Sequence, residues 1–256
     1  MSEPHLLYQV ENQTARLTIN REAQRNAISL EAIELFLTYL DEAEKDETVR
    51  VILVTGSGDK AFCSGADLGG AVEGKIQQGF KRYARLITRL SGYPKPVVAR
   101  INGACMAGGM GLMLACDIVV ARADAKFGTP EVNVGLWPMM IGALIYRNVL
   151  RKKAMEMILL GERLTAEQAL SMGLITRVVQ PEALDAETAR IVDSLAAKSP
   201  IGMKIGKEAF YAMADMPFEE AVDFLSGKIA EVAATEDARE GITAFIEKRK
   251  PDFKGK

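Results

Sequence analysis

The sequence predicts an α/β fold with a helical C-terminal third. Two observations carry this. Strand, Gly-rich loop, helix and strand follow one another twice between residues 49 and 121, the alternation of an α/β protein. From Pro181 to Lys250 the pattern is almost wholly helical, broken at Pro200 and near Pro217. A chain of 256 residues fits one large domain or one domain with an appended segment. The expected division is a core over residues 1–195 and a helical region over 196–256.

The elements follow in order. LLYQVENQTARLTIN (6–20) reads as a hairpin turning at Glu11–Gln13. Leu30–Ala43 has helical spacing, with Ser29 as its N-cap. VRVILVTG (49–56) is a buried strand ending in Gly, and SGDKAFCSGADLGG (57–70) a Gly-rich loop. Lys75–Leu90 is helical, and the break at Tyr93–Pro96 leads into strand VVARI (97–101). A helix over 107–115 and a strand DIVVA (117–121) come next. AKFGTPEVNVGLWPMM (125–140) is loop or short strand, and Met140–Leu150 and Lys152–Leu160 are helical. Thr165 and Gln168 form a capping box with Gly173 as the stop, and LITRVV (174–179) is the last strand.

Composition excludes several functions. A net charge of −2 and a pI near 5.7 argue against a protein held to nucleic acid by phosphate contacts. No apolar run approaches the ~20 residues of a membrane span, and MSEPHLLYQV has no signal-peptide core. Cys63, Cys105 and Cys116 are odd in number and form no C-x-x-C. They read as buried thiols of a reducing, cytoplasmic compartment, not as metal ligands. His5 is the single histidine and reads as a solvated side chain near the N-terminus. A Ser-His-Asp or Cys-His device would have to rest on it. Proton transfer therefore falls to carboxylates.

The stretch RINGACMAGGMGLMLACD (100–117) places Gly103, Gly108, Gly109 and Gly111 close together. Gly costs about 1 kcal/mol against Ala inside a helix, so the cluster needs a reason. Either small residues allow close helix packing, or a ligand must meet the main chain. A helix opening on Ala107, Gly108 and Gly109 offers free amides with no side chain in the way. One further N–H from the Ser64–Asp67 loop would complete an oxyanion hole. Neither Gly-rich segment is a nucleotide fingerprint, and A-F-C-S-G is not a nucleophile elbow. Ser64 is thus a loop hydroxyl.

N-R-x-x-x-R-N-A (20–27), A-F-C-S-G-A-D-L (61–68), K-P-V-V-A-R-I-N-G (95–103), A-G-G-M-G-L-x-L-A-C-D (107–117), F-G-T-P-E (127–131), G-L (135–136) and F-I-E-K-R-K (245–250) stand in order. Together they resemble the crotonase superfamily, the enoyl-CoA hydratase/isomerase family, over almost the whole chain. The resemblance implies a spiral of repeated β-β-α units, with C-terminal helices that assemble trimers or stacked pairs of trimers. It implies an acyl-CoA thioester substrate, with coenzyme A present only as part of that substrate and no separate cofactor or metal. The amides of Ala66 and Gly108 fall where the family holds the thioester oxygen. Arg25, Ala27, Ser64, Ala66, Asp67 and Leu68 fall in the region that binds coenzyme A. Phe245 and Lys248 fall where the last helix reaches a neighbouring subunit's coenzyme A.

Glu131 falls on one of the family's two catalytic glutamates. The other falls on Gly111, which has no side chain. Hydration needs a proton for Cα and a held water for Cβ, whereas moving a double bond from the 3- to the 2-position needs one base. Gly111 on its own favours the isomerase; the tail F-I-E-K-R-K resembles the hydratase branch. Hydration of a 2-enoyl-CoA is the leading expectation, isomerisation the alternative, and a weak acyl-CoA-binding protein the more remote one. Glu73 is a candidate for a second carboxylate, and Asp67 is read as a side chain that fixes its loop. Trp137 and Met139–Met140 either line the acyl pocket or pack in the core.

Overall fold

The computed structural model describes residues 3–67 and 76–256. Strands β1 (Leu6–Glu11) and β2 (Thr14–Ile19) pair antiparallel, with Glu11 opposite Thr14. The turn is therefore only Asn12–Gln13, one residue tighter than expected. Both residues have positive φ, 47° and 63°, the hand that matches strand twist in a two-residue hairpin. Helix α1 (Leu30–Lys45) starts where Ser29 Oγ accepts from the Ala32 amide at 3.1 Å. His5 corrects its expectation here: Nδ1 lies 2.7 Å from Ser29 Oγ and 3.3 Å from Glu31 Oε2, so it braces this cap instead of standing free in solvent.

Three β-β-α units follow. They are β3 (Val51–Gly56), β4 (Ala61–Cys63) and α2 (Ile76–Ser91); β5 (Val97–Ile101), β6 (Ala104–Met106) and α3 (Gly108–Leu114); and β7 (Ile118–Arg122), β8 (Lys126–Gly128) and α4 (Met139–Asn148). The first strand of each unit joins one sheet and the second strand joins another. After α5 (Arg151–Leu160) come β9 (Leu164–Thr165), α6 (Ala166–Ser171) and β10 (Arg177–Val179). The six-stranded sheet runs β1-β2-β3-β5-β7-β10 and the four-stranded sheet β4-β6-β8-β9. All neighbours from β2 to β10 in the first sheet are parallel. The spiral that the resemblance implied is therefore present. Its second strands escape periodicity because three residues are too few to show alternation.

The central strands are apolar throughout because both faces are covered. Ile52, Val54, Val97 and Ala99 face the main core, with Phe36 and Leu40 of α1. Val51, Leu53, Val98 and Val120 face the other way, under Leu184, Ile191 and Val192 of α7 (Leu184–Ala196). Helices α8 (Pro200–Met213), α9 (Phe218–Ala233) and α10 (Glu236–Ile246) complete the chain. Pro200 opens α8 at a position where its missing N–H costs nothing, and Ser199 Oγ accepts from Gly202 N at 3.0 Å.

Polar joints fasten this region to the core. Lys207 pairs with Asp117 and donates to the Lys95 carbonyl at 3.1 Å. Arg50, at the mouth of β3, donates to the carbonyls of Ala196 at 2.9 Å and Phe253 at 2.7 Å. The buried Asp237 carboxylate accepts from Ser199 Oγ and Lys254 N, each at 2.7 Å. Outward, Phe218, Val222 and Ile229 of α9 and Ile242, Phe245 and Ile246 of α10 are exposed. No described helix is long and apolar enough to cross a membrane.

Candidate active site

The site grows from parallel pairing in the small sheet. Strand β4 lies beside β6, with Ala61 opposite Ala104 and Cys63 opposite Cys105. The loops that leave the two strands must therefore run side by side. In the first loop, Ile28 N donates to Gly65 O at 2.8 Å and Asp67 N donates to Ile28 O at 3.0 Å. Ile28 thus occupies the groups flanking Ala66. Alternation along extended backbone turns the Ala66 N–H to the opposite side.

That side holds the start of α3. A Cβ built on Gly65 would lie 3.5 Å from Gly108 N, and one built on Gly108 would lie 3.5 Å from Ala66 N. Gly65 has φ +111°, and its Cβ would also come within 2.8 Å of Ala107 Cβ; Gly is required on both counts. Ala107 itself sits at φ 48°, ψ −126°, a conformation costing on the order of 1–3 kcal/mol for a residue with Cβ. Its amide donates to Gly128 O at 2.9 Å. This strained corner aims the first amides of α3. The two explanations offered for the Gly cluster therefore divide between positions. Gly109 needs bareness for packing, because a Cβ there would strike Cys63. Gly108 does not, because its Cβ would find ordinary contact distance.

Two buried asparagines hold the entrance to β4, and sequence reasoning gave neither a role. Asn26 Nδ2 donates to Ala61 O at 2.7 Å and to Ser57 O at 3.0 Å. Asn102 Nδ2 donates to Gly58 O at 2.8 Å and Ala61 O at 3.1 Å, while its Oδ1 accepts from Gly56 N at 3.2 Å. The signal was present: both stand inside the quoted motifs. Arg21 bridges Asp67 at 2.7 Å and donates to Ala27 O at 2.6 Å, so Asp67 does fix its loop. Arg25 is exposed, and its carbonyl accepts from Ser64 N at 3.1 Å. Ser64 Oγ donates to Gln24 O at 3.4 Å, a backbone carbonyl, not a base. Arg25, Ala27, Ser64, Ala66 and Asp67 thus share one edge. Leu68 and Glu73 lie outside the described residues.

Glu131 lies on a 3₁₀ turn, Pro130–Val134, after β8. Strand β8 pairs with β6, Met106 opposite Gly128, so this loop stands next to the α3 start. Burial raises the Glu131 carboxyl above its ordinary pKa, and its own backbone N–H partly offsets this. Its Oε2 is buried without a hydrogen-bond partner among the described residues, as is Thr129 Oγ1. Tyr83 of α2, which the sequence shows only as part of a helix, lies against the start of α3. Its hydroxyl donates to the Gly108 carbonyl. Burial holds its pKa well above 10, and the nearby Glu131 charge adds to the shift.

Gly111 is enclosed. A Cβ there would run into the Tyr83 hydroxyl and Ile141 Cγ2 of α4. Trp137 is 42% and Met139 74% exposed, so neither is a core residue; Met140 packs against the core. Phe245 and Lys248 stand exposed on and just beyond α10. Among the described residues no group of three His, Cys, Asp or Glu could hold a metal ion.

Residues 9–256 match the family model for enoyl-CoA hydratase/isomerase. The chain is 35% identical over 243 residues to the 2,3-dehydroadipyl-CoA hydratase of Escherichia coli, covering 94% of each. It is 32% identical over 250 residues to the short-chain-enoyl-CoA hydratase of Clostridium acetobutylicum, covering 96% of each. The crystal structure of a Mycobacterium smegmatis enoyl-CoA hydratase superposes with a TM-score of 0.93 at 35% identity, covering 98% of this chain and 99% of that one.

Proposed function

The chain belongs to the enoyl-CoA hydratase/isomerase family and has its crotonase fold, and from that premise we propose that it hydrates a 2-enoyl-CoA to a 3-hydroxyacyl-CoA. The observation that supports this reading is that Ala66 N lies 3.5 Å from a Cβ built on Gly108, beside the start of α3, with Glu131 on the adjoining loop. Two backbone donors on one thioester oxygen stabilise the negative charge that develops there, without side-chain reorganisation. Glu131, whose carboxyl burial raises above its ordinary pKa, gives its proton to Cα and takes one from the water that adds to Cβ. Arg25, Ala27, Ser64 and Asp67 would line the coenzyme A side, and Trp137 the acyl side.

The apolar faces of α9 and α10 support a homo-oligomer, a trimer or a pair of trimers. In it, Phe245 and Lys248 of one subunit would approach the coenzyme A of the next. The free thiols fit a cytoplasmic protein.

The enclosed Gly111 favours a second reading, 3-enoyl- to 2-enoyl-CoA isomerisation by Glu131 alone. Crotonyl-CoA and a 3-enoyl-CoA assayed side by side decide between them. Loss of enoyl-thioester absorbance with crotonyl-CoA supports hydration. Turnover of the 3-enoyl thioester alone overturns it.

A further inference from the structure

The space that a side chain at position 111 would enter is already taken by a polar atom. That atom is the Tyr83 hydroxyl, on a side chain only 7% exposed. Its single proton is committed to the Gly108 carbonyl. A phenol that donates its proton keeps a lone pair free to accept. It therefore remains a neutral acceptor at the Gly111 position, and Glu131, whose charge acts on this phenol, keeps a carboxylate oxygen with no described partner.

We infer that Tyr83 holds the attacking water in place of the missing second carboxylate. The inference rests on the hydratase reading above. One water hydrogen points at the Tyr83 oxygen and the other at Glu131, which leaves a water lone pair directed at Cβ. In the step, the water oxygen bonds to Cβ and the π electrons form the Cα–H bond with the Glu131 proton. The hydrogen that the water loses returns to Glu131. Tyr83 neither gains nor loses a proton, which suits a phenol that burial keeps from ionising. Ile141 closes the other side of Gly111 and keeps further water from that space.

The test compares two reactions of the full-length protein. Hydration of crotonyl-CoA needs the water. Exchange of the α-proton of butyryl-CoA in D₂O needs the amides and Glu131 but no attacking water. Tyr83→Phe should lower kcat for hydration by about ten- to a hundredfold, the scale of lost positioning. KM and the exchange rate should stay within about twofold, since neither depends on the held water. Replacing Tyr83 by 3-fluorotyrosine keeps the ring and the hydroxyl but weakens the oxygen as an acceptor. It should slow hydration several-fold and leave exchange unchanged, and it provides the test even where Tyr83→Phe folds poorly. Hydration undiminished in both variants, or hydration and exchange falling together, overturns the role of Tyr83 while the hydratase reading stands. Wild-type protein that exchanges the α-proton but never hydrates overturns the reading itself, and this inference with it.

Discussion

A Cβ placed on Gly108 would stand 3.5 Å from the amide nitrogen of Ala66. That is ordinary contact, so the fold can accept it. It is also the space that an oxygen held by both amides would share. Gly108→Ala should therefore leave the thermal midpoint unchanged or raise it slightly, since Ala is the better helix former. Hydration should fall by about a hundredfold, the scale of losing one oxyanion donor. Melting curves and steady-state rates on the same preparation check this. A fully active Gly108→Ala protein would remove Gly108 from the site.

Glu131→Gln keeps the shape and removes the titrating proton. Loss of at least about a hundredfold in kcat is expected for a general acid–base group. Burial raises the folded-state pKa of Glu131, so the folded protein binds this proton more tightly than the unfolded chain does. The cost of burying the charge is therefore present in full above the raised pKa. It fades as pH falls through the raised value and is absent below the ordinary glutamate pKa. Glu131→Gln should thus gain stability over the wild type at pH 7 and lose that advantage in acid. Denaturant midpoints across pH test the sign; an advantage that grows in acid would contradict it.

Gly111→Glu restores the family's second carboxylate in name only. If the site had open hydratase geometry, this change would raise hydration. The Tyr83 hydroxyl and Ile141 Cγ2 occupy the position of the first added atom. Overpacking of this kind costs typically about 1–3 kcal/mol. The expected result is a lower thermal midpoint and less hydration, read by calorimetry and by the absorbance assay. Increased hydration would mean that Tyr83 and Ile141 yield easily.

Ala107→Gly should relieve the strained corner before α3. Relief on the order of 1–3 kcal/mol is offset by the entropy of Gly, about 0.5–1 kcal/mol. A net gain near 1 kcal/mol would raise the midpoint by roughly 2–4 °C. A destabilised Ala107→Gly protein would show that the corner is not strained.

Phe245 is 85% exposed on α10. If the proposed homo-oligomer forms through α10, Phe245→Asp should leave the subunit folded and shift it toward monomer, with weaker acyl-CoA binding. Light scattering and ligand titration report the two effects separately. An unchanged oligomer would place the interface elsewhere.

How much of this was legible in the sequence varied with length and with covalent character. Helices of ten residues or more, the capping box at Thr165 and the apolar strands show themselves through spacing. The strands β4 and β6, three residues each, do not, although they place both candidate amides. Glu131 and the bare Gly108 stand out within quoted motifs. Tyr83 does not, because its role depends on α2 lying across α3, a tertiary fact without a local pattern. Gly111 was visible as a missing carboxylate, but what fills its place was not.

Cys63 and Cys105 are fully buried, and burial pushes both thiols up in pKa, Cys63 to about 11. They sit opposite each other on β4 and β6, directly beneath the two amide-bearing loops. A thiol reagent can reach them only when these strands part. Their labelling rate is therefore a built-in gauge of how often the floor of the site opens, and an acyl-CoA that grips both loops would slow that clock.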